Sequence, residues 1–336
     1  MTPASLSESD GMTVATAPCA GTGLDTVTGA FSYSGRAIAS ALLGSGRAVR
    51  TLTGHPANAP ESSPIEVEPL DFDDPVGLTR SLEGTTTLFN TYWVRFAHDR
   101  TDHDRAVINS RTLFQAARRA GVERIVHVSI TNPSLESPYP YFRGKALVER
   151  SLIETELSFA ILRPAILFGG SGVLLNNIAW LLRRLPIFAV GGRGHYRIRG
   201  IHVDDLSQLC VEMGARREDV IIDAVGPESP TFFDLVTWIR DAVASDARII
   251  RVPSFVVPPM AWILGRALHD VLLTREEFGA MEAGLADTSG PATGSIRLSE
   301  WLTAQASTLG CMYANELVRH FSVHPSDGIH PIAAGA

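Results

Sequence analysis

The chain is poor in cysteine, in charge and in long apolar runs, and each shortage excludes a class of protein. Cysteine is confined to Cys19, Cys210 and Cys311, widely separated in sequence. No Cys-x-x-Cys spacing and no disulfide framework can be drawn from them, which fits a reducing cytoplasm. Charged residues make up 19% of the chain and lean acidic, Asp+Glu 36 against Lys+Arg 29, for a net charge of −7. That balance argues against a nucleic acid or an anionic membrane as partner. The longest apolar stretches, around Phe159–Gly170 and Phe255–Leu264, are interrupted by Arg163 and by Pro258-Pro259. They fall short of the ~18–20 residues that a membrane span needs. The first residues include Glu8 and Asp10 with no basic region before an apolar one, unlike a secretory signal. What remains is a soluble chain of 336 residues, 45% apolar, able to bury a core without disulfides or a structural metal. At ~150 residues per domain, the length allows two units, or one α/β domain with roughly 100–150 residues attached.

The polar residues 1–24 carry no apolar periodicity and read as a flexible leader. From there, short apolar strands alternate with helical patterns. Strands are expected over Asp25–Gly29, Ala48–Thr53, Ile65–Leu70, Thr86–Asn90, Arg124–Ser129 and Leu157–Leu162. Helices are expected over Gly35–Gly44, Asp73–Leu82, Asp104–Ala120, closed by Gly121, and Phe142–Glu154. Strands separated by such helices need crossover connections, hence a doubly wound parallel sheet of Rossmann type over 25–165. The second half is less regular. Leu174–Leu185 and Phe232–Ala244 read as helices, Gly191–Gly200 as a loop, and 258–320 as mostly helical. We expect 201–225 to return to the first domain, 166–200 and 226–320 to form a smaller, mostly helical substrate-binding region, and 321–336 to be a flexible tail.

The first motif is Val27-Thr28-Gly29-Ala30-Phe31-Ser32-Tyr33-Ser34-Gly35-Arg36, where a strand meets a helix. In that context Gly29 suits a tight turn and Gly35 a close helix–strand approach. Phe31, Ser32 and Tyr33 then lie where a pyrophosphate would meet the helix N-terminus. An acid at the end of the second strand would bind the ribose 2′-hydroxyl of NAD. The stretch reads Arg50-Thr-Leu-Thr-Gly-His55-Pro56, without one, and Arg36 and His55 are candidates for a 2′-phosphate. The reading therefore favours NADP over NAD. Arg36 reads equally well as a solvated helix side chain. Asp71, after the third strand, is placed to accept from adenine, or to cap the next helix, a role open also to Asp73 and Asp74.

Tyr141-Phe-Arg-Gly-Lys145 is the second motif. Residues i and i+4 share a helix face, so an ammonium there can favour the phenolate. Together with Ala120-Gly-Val-Glu-Arg-Ile-Val-His-Val-Ser129, Leu162-Arg-Pro164-Ala-Ile-Leu-Phe-Gly169 and Ile201-His-Val-Asp-Asp205-Leu, the chain resembles the short-chain dehydrogenase/reductase superfamily, in its extended or atypical epimerase/dehydratase-like branch, over roughly 25–310. The resemblance implies hydride transfer between a nicotinamide and a small-molecule carbonyl or alcohol. Tyr141 would be the acid/base and Lys145 its partner on the ribose, with Ser129 or Thr131 as the third hydroxyl. Asn90 and Pro164 would sit beside the cofactor. It equally admits an epimerase or dehydratase, or a non-catalytic dinucleotide-binding sensor or complex subunit.

Three departures stand out. Ser32 replaces a glycine, the Ser129–Tyr141 interval is short, and bulky Tyr92 and Trp93 follow the fourth strand where small residues are usual. The last implies a re-shaped pocket, or one filled by something other than a sugar nucleotide. Tyr92, Trp93, Asn176 and Asn177 are the candidate substrate contacts. His202, Asp204 and Asp205 read as a strand-to-helix junction and not as a metal site, since no second His or Cys accompanies them. Pro258–Leu268 reads as a lid or as the interface of a homodimer.

Overall fold

The computed structural model describes residues 23–97 and 102–321. Its first half consists of β1 (Leu24–Thr28), α1 (Tyr33–Gly44), β2 (Ala48–Thr53), β3 (Glu66–Pro69), α2 (Pro75–Ser81), β4 (Thr85–Asn90), α3 (His103–Ala120), β5 (Arg124–Val128), α4 (Pro140–Ile153) and β6 (Ser158–Pro164). There follow β7 (Ile166–Phe168), α5 (Val173–Arg184), β8 (Ile187–Gly191), β9 (Gly200–His202), α6 (Val203–Ala215), β10 (Val220–Ala224), α7 (Phe232–Ala242) and β11 (Arg248–Val252). The last helices are α8 (Val257–Leu268), α9 (Arg275–Glu282), α10 (Leu298–Ala304) and α11 (Glu316–Phe321).

Seven strands form a parallel sheet in the order β10-β6-β5-β4-β1-β2-β3, the doubly wound α/β architecture. The strand order reverses between β1 and β4, so the loops leaving their C-terminal ends diverge and open a crevice there. Sheet residues alternate between two apolar layers. Val27, Phe89, Val126 and Leu162 face α1 and α6 on one side. Leu52, Leu88, Ile125 and Ile161 face α2, α3 and α4 on the other. The long α3 shows how local chemistry sets the ends of an element. Asp102 caps its first turn by accepting from Arg105 N at 2.7 Å, and Gly121 ends it at φ 77°.

β10 completes the sheet by pairing with β6, and α6 packs on α1, so 203–224 return to the first layer system. The second half has its own core of Phe168, Ile178, Leu182, Leu235, Ile239 and Leu302, contributed by α5, α7 and α10 around two short parallel pairs, β7 with β9 and β8 with β11. Four strands, β7, β8, β10 and β11, are additions to the elements expected from sequence. Within 258–320, residues 283–297 are non-helical. α8 buries only Gly265 and leaves Trp262 at 66% exposure. Among the described residues no helix is long and apolar enough to cross a membrane.

Candidate functional site

A cleft of about 1750 Å³ runs from the β1–α1 turn, past the ends of β2 and β4, to α4, α9 and the segment after α10. That exceeds the ~300–1,000 Å³ usual for one small ligand and leaves room for two. At one end Gly29 adopts φ +66°, a left-handed conformation that favours glycine. Its N–H donates to Leu52 O at 2.8 Å, tying the turn to β2. Gly35 allows the helix to approach. A Cβ there would stand 2.1 Å from Gly29 O. Ser32 spends its hydroxyl on Gly29 O, 2.6 Å away, so no side chain caps the first turn of α1. Phe31, Ser32 and Tyr33 line the cleft beside that turn, and the Tyr33 hydroxyl donates to Gly169 O at 2.8 Å. A glycine turn against an uncapped helix start fits a pyrophosphate.

Across the cleft, β2 ends in Thr53-Gly54-His55, which line it without a carboxylate. Arg36 also lines it, exposed, with Nη2 donating to Phe31 O at 2.8 Å. Asp71 lies outside the lining and accepts from Asp73 N. The cap of α2 is Asp74, which accepts from Gly77 N. Asn90 is fully buried and holds three strands together, accepting from Thr28 Oγ1 and donating to His127 Nδ1 at 3.0 Å. Pro164 is buried in β6. Neither it nor Asn90 reaches the cleft wall.

At the other end stands Tyr141, on the first turn of α4. Its ring meets Trp93 edge-on at 5.7 Å and His103 at 5.6 Å, while Trp93 and His103 stack at 5.9 Å with their planes 10° apart. All three line the cleft. The Tyr141 hydroxyl has no hydrogen-bond partner among the described residues. Burial, and then the Glu277 carboxylate, push its pKa well up, against the opposing pull of Arg95. The phenol is therefore held neutral.

Lys145 is the chain's single lysine, a signal that motif reading passed over. It shares a helix face with Tyr141 as the spacing predicts, but its ammonium is 2% exposed and outside the cleft lining. It donates to Val128 O at 2.9 Å and lies 4.7 Å over the Trp93 ring. Burial lowers its pKa to about 7, while Glu149 pulls the other way. The indole takes the place between the two members of the motif, and Gly144 makes the space, since a Cβ there would lie 2.8 Å from Trp93 Cη2.

The two candidate third hydroxyls are also turned away from the cleft. Ser129 donates to Glu149 Oε1 at 2.5 Å, and that carboxylate is gripped at the same time by Arg163. Thr131 donates to Leu285 O at 2.9 Å. Tyr92 lines the cleft with its hydroxyl accepting from Asn109. Asn176 lines it too, but donates to Met312 O. Asn177 is buried, donating to Ala314 O, so this pair fastens α5 to the chain after α10. His202 caps α6, accepting from Asp204 N, while Asp205 accepts from Ser295 N and Ile296 N.

Sequence reasoning missed the charged side of the cleft. Arg95 donates to Glu277 at 2.7 Å and pairs with Glu316 at 3.0 Å, and all three line the cavity. Arg95 is 182 residues from Glu277, so no local pattern announces the pair.

Residues 29–174 match the model of the NAD(P)H-binding family. Among curated proteins, the chain is 26% identical over 214 residues to NADH dehydrogenase [ubiquinone] 1 alpha subcomplex subunit 9, mitochondrial, of Rattus norvegicus, covering 62% of this chain and 56% of that protein. The chain thus spans about half the length of such relatives. Among solved structures, triphenylmethane reductase from Citrobacter sp. superposes with a TM-score of 0.70 at 18% identity, over 84% of this chain and 98% of that one. An NADPH-dependent quinone oxidoreductase from Escherichia coli, complexed with NADPH, gives 0.67 at 19% identity, over 83% and 99%. Residues 29–174 thus match an NAD(P)H-binding family, and the chain has the Rossmann fold shared with solved reductases and a nucleoside-diphosphate-sugar epimerase.

Proposed function

We propose that this protein is an NADP(H)-dependent oxidoreductase that reduces a small-molecule carbonyl, with Tyr141 as proton donor. The observation that carries the reading is a single cleft joining the Gly29–Gly35 turn to a phenol hydroxyl with no partner among the described residues. When bound, the reduced nicotinamide supplies a hydride. Phe31, Ser32 and Tyr33 would hold the pyrophosphate, and Arg36 and His55 a 2′-phosphate, with no carboxylate at the end of β2 to select NAD. Tyr141, kept neutral by burial and by Glu277, is suited to donate a hydrogen bond to a carbonyl oxygen and then its proton to the alkoxide.

A second reading has specific support. With Lys145 behind Trp93, and Ser129 and Thr131 bonded elsewhere, the family's catalytic set is not assembled, which suits a dinucleotide-binding subunit without turnover. One experiment separates the two. Fluorescence titration should give tighter binding of NADPH than of NADH, and Tyr141→Phe should lower carbonyl-reduction kcat by ~10²–10⁴-fold with NADPH affinity unchanged. Tighter NADH binding would overturn the cofactor preference. Turnover unaffected by Tyr141→Phe would remove that phenol from the chemistry, and NADPH binding with no reduction of any carbonyl would favour the subunit reading.

A further inference from the structure

We infer that the substrate is an uncharged, planar conjugated carbonyl of the quinone or aryl-ketone class, and that Trp93 is the residue that selects it. The inference rests on the carbonyl-reductase reading above and adds the substrate class. The Tyr141 ring is flanked by aromatic rings, with Trp93 and His103 stacked in parallel and Tyr141 set edge-on to both. Offset faces and edges of this kind favour a further π-system over a saturated ring of equal size. Phe142, Leu273, Met281 and Leu285 continue the lining in apolar character.

Three polar groups that could recognise a substrate hydroxyl are withdrawn from the cleft. Ser129 and Thr131 donate within the protein, and the Lys145 ammonium is spent on Val128 O beneath the indole. Charge points the same way. Arg95 is engaged by both Glu277 and Glu316, so it is not free to hold a diphosphate or carboxylate substrate near Tyr141. The Trp93 ring is built into place from outside the cleft. Gly144 leaves room for it, Lys145 lies against its face, and its Nε1 is buried with no hydrogen-bond partner among the described residues.

The reaction balances with the reductant already named. The carbonyl carbon accepts the hydride with its two electrons, and the C=O π pair moves onto oxygen. That oxygen takes the Tyr141 proton, which is restored from solvent, so the carbonyl is reduced and the dinucleotide oxidised.

Calorimetric titration of the NADP⁺-saturated full chain would compare phenanthrenequinone, its saturated ring ketone of the same size, and UDP-glucose. The quinone should bind at least about tenfold tighter than the saturated ketone, and Trp93→Leu should erase most of that preference while Trp93→Phe keeps it. His103→Leu, which removes the stacked ring without touching the packing behind Trp93, should lower the preference severalfold. Equal affinities, a preference unchanged in both leucine variants, or tighter binding of UDP-glucose would overturn the inference. Binding is read apart from turnover. Selective quinone binding without NADPH oxidation would overturn the reductase reading alone, and turnover without selectivity would overturn the substrate class alone.

Discussion

Lys145 offers a test that is both quantitative and unusually clean. Burial moves its pKa from the ordinary 10.5 to about 7. An unfolded chain holds the proton up to the ordinary value, whereas the folded protein releases it near neutrality. Between the two, the unfolded state binds more protons, so stability rises with pH by ~1.4 kcal/mol per unit. Integration gives a destabilisation of roughly 4 kcal/mol at pH 7 and about 2 kcal/mol at pH 9. The protein should therefore gain about 2 kcal/mol over that interval relative to Lys145→Met, whose neutral side chain has nothing to titrate. Urea midpoints of the two proteins across the interval measure the difference. Because the chain has one lysine, selective ¹³C-lysine labelling gives a single Cε resonance whose titration reports the amine directly. The Trp93 face, 4.7 Å away, favours the ammonium, so Trp93→Leu should lower the pKa further. Parallel stability curves, or a resonance that titrates near the ordinary value, would refute the reasoning.

Two further perturbations follow from the packing. Gly35→Ala would drive a Cβ into Gly29 O, a backbone atom that no rotamer change can move aside. It should cost about 2–3 kcal/mol in a denaturant melt and weaken NADPH binding at least tenfold, and wild-type affinity would show that the turn is not the phosphate cradle. Glu149→Gln removes the charge that holds Ser129 and the half-buried Arg163. Since Arg163 keeps some solvent contact, a loss of about 2 kcal/mol is expected by thermal unfolding, and an unchanged midpoint would mean that the cluster adds nothing to stability.

Features fixed by neighbouring residues were legible in the sequence, and features fixed by distant ones were not. β2 begins and ends where its alternation does, and Gly121 ends α3 in the left-handed conformation expected of a glycine cap. β8 and β11 escape a pattern reading because each is a five-residue segment whose partner among the described residues lies some 60 residues away. The candidate site divides in the same way. The Gly29–Gly35 turn is local and readable. The directions of the Ser129 and Thr131 hydroxyls depend on Glu149 and Leu285. The separation of Tyr141 from Lys145 depends on an indole some fifty residues upstream and on the one glycine that admits it. The bulk of Tyr92 and Trp93 after β4 is visible in the sequence, but only the packing shows that both rings line the cleft.

The burial of Lys145 under Trp93 has a practical consequence for watching this molecule open and close. All the other cationic side chains counted with it are arginines, so the folded chain offers amine-directed reagents no exposed lysine. An acylating label added under native conditions can reach this side chain only when α4 parts from β5. The yield of Lys145 adduct over time then becomes a clock for that opening, and a bound dinucleotide that clamps the cleft should slow it.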